Sequence, residues 1–320
     1  MHYGHYNALR QARAMGGVIV AGIHSDAEIA NHKGPSVMND AERIAAVSAC
    51  RWVDELVLDA PYQTSLDWVT RYHCDICVHG DDASTLADGT DSFALVKKAG
   101  RYRECKRTAG VSTTDLVGRL LLLTRGHHQH ANTNGTDVEA SRVQRTSGNV
   151  TESAFTEKQR EMVALFSSGL REPEVGEKVV YMDGDFDLFH IGHTEILKRA
   201  KQELGGYVVV GIHDDATVNS LKCSNFPIMS LYERVLAVLS CRFVDKVVIG
   251  APFTLDNSIL DHVNVVVHSP SHSLGVVSSE NGPDRYQFAK ERGLYTEIRN
   301  EETQVTTASI IRRILDHHKL

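Results

Sequence analysis

Two histidines three residues apart, with a glycine between them, occur twice in this chain: His2, Gly4 and His5 in HYGH, and His190, Gly192 and His193 in HIGH. That spacing sets both imidazoles on one face of a helix's first turn. Backbone N–H groups and the positive end of the helix dipole meet there and attract an anion. The glycine lets a phosphate approach the backbone, and two imidazoles can donate hydrogen bonds to its oxygens. This is chemistry for a nucleoside triphosphate, not for a metal. With 17 histidines in the chain, one pair could be chance; two pairs, each leading into the same helical pattern, argue against it.

RTAGVSTTD at 107–115 offers a second phosphate-binding end. Arg107 and Gly110 precede a helix start, where Ser112 followed three residues later by Asp115 forms a capping box. Hydroxyls, N–H groups and a guanidinium converge there. Lys33, in NHKGPS, reads as a cation on a loop after the second strand, able to reach across to a ligand. In the second half, VVYMDGDFDLFHIGH runs from an apolar strand through Gly184 and Asp187 into the histidines, and Lys222 stands where Lys33 does. Cys74 and Cys77 make a CxxC without a second cysteine pair, at a strand entrance where they point to opposite faces, so no zinc or other protein metal site is expected. The HHQH cluster at 127–130 lies in a polar stretch and reads as solvated.

These motifs sit in a duplicated chain of 320 residues, 42% hydrophobic and 23% charged, long enough for about two domains. GIHSDA (22–27) returns as GIHDDA (211–216), CRWVDELVLDAPY (50–62) as CRFVDKVVIGAPF (241–253), and VSTTDLVGRLL (111–121) as VTTASIIRRIL (305–315). An offset of about 190 residues marks a doubled domain, not a solenoid repeat of roughly 20–50. The expected organisation is a domain at 1–125, a Ser/Thr/Asn/Gly-rich linker at 126–177 and a second domain at 178–320. Within the linker, Phe155, Met162, Val163, Leu165 and Phe166 space as one docking helix.

In the first copy Ala8, Leu9, Ala12 and Met15 predict a helix stopped by Gly16-Gly17. Strands are expected at 18–23, 52–58, 76–80 and 103–107, and helices at 40–50, 64–72, 91–99 and 112–123. The fold class is α/β: tandem Rossmann-like domains, each a parallel sheet with helices on both faces, binding ligands at the carboxyl ends of its strands.

Composition excludes several classes. Lys plus Arg number 34 against 41 Asp plus Glu, a net charge of −7, which does not suit a nucleic-acid binder. Apolar stretches such as Leu120–Leu123 fall far short of the about 20 residues that cross a bilayer, so no integral membrane association is expected. A polar N-terminal stretch and six scattered cysteines point to a cytoplasmic chain, at most peripheral to the endoplasmic reticulum.

HYGH, HKG, CRWVDE, APY, CVHGDD and RTAGVSTTD, in that order, resemble the cytidylyltransferases of the nucleotidyltransferase superfamily, whose signatures are HxGH and RTxGxST. The duplication, with KRTAGVSTTDLVGR and FDLFHIGH, resembles their ethanolamine-phosphate branch. The resemblance implies transfer of the cytidylyl group of CTP to phosphoethanolamine, giving CDP-ethanolamine and pyrophosphate for phosphatidylethanolamine synthesis, by in-line attack without a covalent enzyme intermediate. It implies that His2 and His5, with Gly4, bind the triphosphate and that Lys33 bridges the reacting phosphates. Arg107, Ser112 and Thr113 would hold the pyrophosphate; His79, Asp81, Thr108, Gly110 and Val111 would line the cytidine side; Tyr62 would contact the ethanolamine end. Mg²⁺ would travel with CTP, and the two copies would pair as an intramolecular pseudo-dimer.

The copies differ. In the second, HSPSH (268–272) replaces HGDD and RNEETQVTT (299–307) replaces RTAGVSTT, so Asp187, His190, Gly192, His193 and Lys222 are expected to keep a fold that turns over little CTP. In the first, aligning His2 on His190 leaves no counterpart of Val179–Met182, Gly184 or Asp187, so its sheet is expected to lack a central strand. Each unpaired buried group beside such a gap costs about 1–3 kcal/mol, against a domain stability of about 5–15 kcal/mol. Two alternatives follow: a shortened non-catalytic partner or regulatory module, and a cytidylyltransferase for phosphocholine or glycerol phosphate. A trimethylammonium group is best held by an aromatic cage. Tyr62 and Phe93 are available, but HGDDASTL (79–86) has no aromatic residue, which favours a primary amine.

Overall fold

The computed structural model describes residues 1–82, 84–86, 88–121, 155–222, 226–270, 284–299 and 305–317. The HHQH cluster, most of the linker's first half and much of the two loops that replace HGDD and RTAGVSTT lie outside them. Two compact units form: Met1–Thr113 with Arg312–Leu320, and Thr114–Ile311.

Unit 1 opens with α1 (Tyr3–Met15), capped by His2. There follow β1 (Val20–Gly22), α2 (Asp26–Lys33), α3 (Asp40–Ser48), β2 (Glu55–Val57), α4 (Leu66–Arg71), β3 (Cys77–Gly80), α5 (Ala94–Lys98), β4 (Tyr102–Cys105) and the start of α6 (Thr113–Leu121). Polar caps start the helices: Ser25, Asn39 and Ser65 each accept a backbone N–H with the side chain. Lys33 is the last residue of α2, not part of a loop; Gly34 ends the helix at φ +80. The sequence hid α2 because it buries no residue and so carries no apolar stripe.

Parallel pairing in unit 1 is confined to two two-stranded sheets, β1 with β2 and β3 with β4. Cys77 opens β3 beside the Val69, Phe93 and Val96 cluster, and burial pushes its thiol up to about 11.

Unit 2 contains α7 (Glu157–Ser167), β5 (Val179–Gly184), α8 (Ile191–Arg199) with a π-helical turn at Ala200–Leu204, β6 (Tyr207–Ile212), α9 (Asp215–Lys222) and α10 (Leu231–Leu239). It continues with β7 (Lys246–Ile249), α11 (Asn257–Leu260), β8 (Val265–His268), α12 (Gln287–Glu291), β9 (Tyr295–Glu297) and α13 (Thr307–His317). Its sheet is fully parallel in the order β7-β6-β5-β8-β9. The apolar runs VVYM and YVVVGI fill two of the three interior strands, β5 and β6, and Val180, Tyr181, Val208 and Val210 are completely buried. Between β1 and β3 no strand among the described residues takes the place that β5 holds between β6 and β8. Helix α7 packs on α10 through Val163 and Phe166, with the Phe155 ring edge-on to Tyr232. Leu165, expected on that face, points to solvent.

The units do not follow the boundaries suggested by the duplication, because each copy's closing helix crosses over. Helix α6, from the first copy, lies mostly in unit 2, where Arg119 donates to both oxygens of Glu233 at 2.7 and 3.1 Å. The end of α13, from the second copy, lies in unit 1, where Arg313 donates to both oxygens of Glu42 at 2.7 Å. Each glutamate also completes the capping box at the start of α3 or α10. No helix among the described residues is long and apolar enough to cross a membrane.

Candidate active site

The His2 ring caps α1. Its Nδ1 accepts the Gly4 N–H at 3.2 Å, while His5 Nδ1 accepts the His2 N–H at 3.2 Å. The two rings are 3.9 Å apart, centre to centre. With both Nδ1 atoms accepting, a neutral imidazole carries its proton on Nε2, so each ring presents one N–H donor. Burial, then the amino terminus and Arg107, lowers the His2 pKa to about 3, which keeps that ring neutral at physiological pH. Gly4 serves packing: a Cβ there would lie 3.0 Å from the His2 ring and from Val111.

The RTAGVST segment is tied to α1 and β3. Asn7 Nδ2 donates to Thr108 Oγ1 at 2.9 Å, Gln11 makes two hydrogen bonds with the Lys106 backbone, and Arg107 N donates to Asp81 Oδ1 at 2.9 Å. Gly110 takes φ +79, a turn other residues resist, and Val111 is buried against Gly4. His2, His5, Arg107, Asp81 and the start of α6, with Ser112 and Thr113, are thus assembled around one end of α1.

A second group surrounds Tyr62. Its ring stacks on His32 at 4.0 Å and lies 5.6 Å from His24, and its hydroxyl accepts from Ser84 Oγ at 3.3 Å. Lys33 Nζ is 5.6 Å from the Tyr62 ring centre, so the structure groups Lys33 with Tyr62. His79 packs on Phe93 at 4.5 Å. Beside them Ser92 is buried, and its Oγ has no hydrogen-bond partner among the described residues. Asn7, Gln11, His24, His32 and Ser92 join these groups in the structure, although the sequence alone does not single them out as site residues. Only His24 left a signal, as part of the repeated GIH.

Unit 2 repeats the histidine geometry, with Nδ1 of His190 accepting from Gly192 at 3.1 Å, Nδ1 of His193 accepting from His190 at 3.3 Å, and rings 3.9 Å apart. Its groups are committed internally. His190 Nε2 lies 3.4 Å from Thr307 Oγ1, which itself donates to the Asp187 carbonyl at 3.0 Å. Asp187 accepts the Ile228 and Met229 N–H groups at 2.7 and 2.9 Å, and burial, then Asp185, raises its pKa to about 6. Lys222 closes an ion pair with Asp185, whereas Lys33 in unit 1 stays exposed.

Comparison with known proteins gives the same reading twice over. The cytidylyltransferase-like family matches residues 1–119 and again 181–312. An ethanolamine-phosphate cytidylyltransferase of Dictyostelium discoideum is 48% identical over 99% of this chain and 88% of its own length. The one from Mus musculus is 43% identical over 98% and 83%. Choline-phosphate cytidylyltransferase A of Rattus norvegicus is 35% identical, but over 38% of this chain and 33% of its own. A choline-type relative matched over about the length of one copy, and ethanolamine-type relatives matched across both, show that the chain belongs to the ethanolamine-phosphate cytidylyltransferase family.

Proposed function

We infer that this chain makes CDP-ethanolamine and pyrophosphate from CTP and phosphoethanolamine, and that the reaction takes place in unit 1. The observation that carries the assignment to unit 1 is the contrast between the two histidine pairs. Both pairs use Nδ1 to cap a helix, but His190 Nε2 is engaged by Thr307, and only in unit 1 does the pair sit beside an intact RTAGVST segment held by Asn7, Gln11 and Asp81.

A phosphate oxygen of phosphoethanolamine attacks the α-phosphorus of CTP, forming a new P–O bond. The bond to the bridging oxygen of the β-phosphate breaks, and its electron pair leaves with pyrophosphate. No enzyme nucleophile is needed, so catalysis is positioning and charge stabilisation. His2 and His5 donate Nε2–H bonds to triphosphate oxygens, and neutral rings can do so without gaining or losing a proton. Arg107, the Ser112 and Thr113 hydroxyls and the first N–H groups of α6 hold the departing pyrophosphate. His79, Asp81, Thr108, Gly110 and Val111 line the cytidine side, and Tyr62 the ethanolamine end. Lys33, on an exposed helix end, swings from Tyr62 to the reacting phosphates. Mg²⁺ would come with CTP and neutralise part of the charge on its phosphates. The exchange of closing helices supports one chain working as an intramolecular pair, and the scattered cysteines support a cytoplasmic location.

Product formation measured with equal concentrations of phosphoethanolamine, phosphocholine and glycerol phosphate tests this reading. CDP-ethanolamine should dominate. Equal use of phosphocholine would overturn the substrate assignment, and no turnover with any of them would favour the non-catalytic partner.

A further inference from the structure

The two copies can be superposed residue for residue around Tyr62. His24 and His213 each place Nδ1 on a carbonyl, of Ala60 at 2.8 Å and of Ala251 at 2.9 Å. Thr64 N donates to Ser92 O, and Leu255 N donates to Arg285 O. Tyr62 therefore corresponds to Phe253, Phe93 to Tyr286, His79 to His268 and Ser92 to Arg285.

At this last pair the copies part. The Arg285 guanidinium carbon lies 4.5 Å from the ring centres of both Phe253 and Tyr286. One of its nitrogens pairs with Asp183 Oδ1, to which the Tyr286 hydroxyl also donates at 2.9 Å. The Asp183 side chain is completely buried. Two aromatic rings and a buried carboxylate are the groups that hold an ammonium or guanidinium ion.

We propose that Arg285 is an internal plug: unit 2 retains a cation site, and the chain's own guanidinium fills the place that a substrate ammonium would take. The fit is that of an occupant rather than of an optimised structural pair. An arginine matched to a carboxylate normally donates to both oxygens. Here Asp183 Oδ2 and Arg285 Nε are buried with no hydrogen-bond partner among the described residues, and the nearby Tyr181 hydroxyl is too. Unit 2 thus excludes an amine ligand at this end, apart from its altered CTP motifs. The identity of that ligand as phosphoethanolamine rests on the function proposed above; the cation site does not.

The test uses the full chain with Arg285→Ala, Arg285→Ser and Arg285→Lys, followed by thermal unfolding in ethylammonium chloride with sodium chloride as the ionic control. The alanine and serine variants should unfold at lower temperature and respond saturably to ethylammonium. At ten times its Kd the midpoint should rise by about 3–6 °C. The wild type and Arg285→Lys, which keep a cation in place, should not respond. If the alanine and serine variants fold poorly, their refolding yield with and without ethylammonium is read instead. No difference between ethylammonium and sodium in either measurement would refute the plug. Calorimetry then asks whether Arg285→Ser binds a second equivalent of phosphoethanolamine. A response to ethylammonium without that second equivalent would keep the cation site and count against phosphoethanolamine as its ligand.

Discussion

Arg313→Ala should destabilise unit 1, although the residue comes from the far end of the chain. Both guanidinium nitrogens lie 2.7 Å from the Glu42 carboxylate, whose side chain is 3% exposed, and one of them also reaches the Val37 carbonyl at 2.9 Å. Removing Arg313 leaves Glu42 with its capping hydrogen bond to Asn39 but without its cation. Stripping one partner from a buried ion pair costs about 3–5 kcal/mol. Arg313 is 28% exposed, so water reaches one side and the lower end, about 3 kcal/mol, applies. That is a large share of the roughly 5–15 kcal/mol that stabilises a domain.

Both tryptophans of the chain, Trp52 and Trp68, belong to unit 1, so the urea transition followed by tryptophan fluorescence reports that unit alone. Adding Glu42→Gln to Arg313→Ala removes the stranded charge and should recover at least half of the loss, a coupling within the usual range of about 0.5–3 kcal/mol. Arg119→Ala, which strands Glu233 in unit 2, should leave the tryptophan transition nearly unchanged. A fluorescence-detected loss below about 0.5 kcal/mol for Arg313→Ala, the level of an ordinary surface substitution, would refute the reasoning.

Gly4→Ala should lower kcat/KM by about tenfold or more while the chain stays folded, because the new methyl displaces the His2 ring or Val111 within a site that tolerates little misplacement; steady-state kinetics with circular dichroism checks it. Acid should weaken unit 1: His2 titrates near 3 when folded and near 6.5 when unfolded, so between those values the unfolded chain binds more protons. The His2 contribution is fully present above about pH 6.5 and is lost as pH falls towards 3, and His2→Asn should flatten the slope of tryptophan-detected stability against pH. Asp187 has the opposite sign. Its pKa is raised from 3.8 to about 6, so its contribution is present below about pH 3.8 and is lost as pH rises through 6, and Asp187→Asn should remove that loss in unit 2, followed by circular dichroism.

Features carried by local chemistry were legible before any coordinates. A histidine that caps a helix, a glycine beside it and a Ser-Thr helix start all act within a few residues, and duplication printed the histidine and the glycine twice. The buried strands of unit 2 were equally plain as unbroken apolar runs. Helix α2 was not, because a helix that buries nothing has no periodicity to show. The exchange of closing helices is not legible either: Arg119 and Arg313 align in the repeat, but their partners lie 114 and 271 residues away in sequence. The sequence around Gly4 suggests access for phosphate, whereas its contact with Val111 depends on two segments meeting. The replacement of Ser92 by Arg285 gains meaning only once Phe253, Tyr286 and Asp183 are seen around it.

The central claim, that chemistry belongs to unit 1 while unit 2 keeps the same histidines idle, is tested most directly by matched cap-preserving substitutions. Asparagine is a good helix cap, so His2→Asn and His190→Asn each remove an imidazole with little cost to the helix start. Rates of CDP-ethanolamine formation should fall by about 100- to 1,000-fold for His2→Asn, as for loss of one positioned donor to a developing charge, and by less than about threefold for His190→Asn. Comparable losses in the two variants would contradict the account.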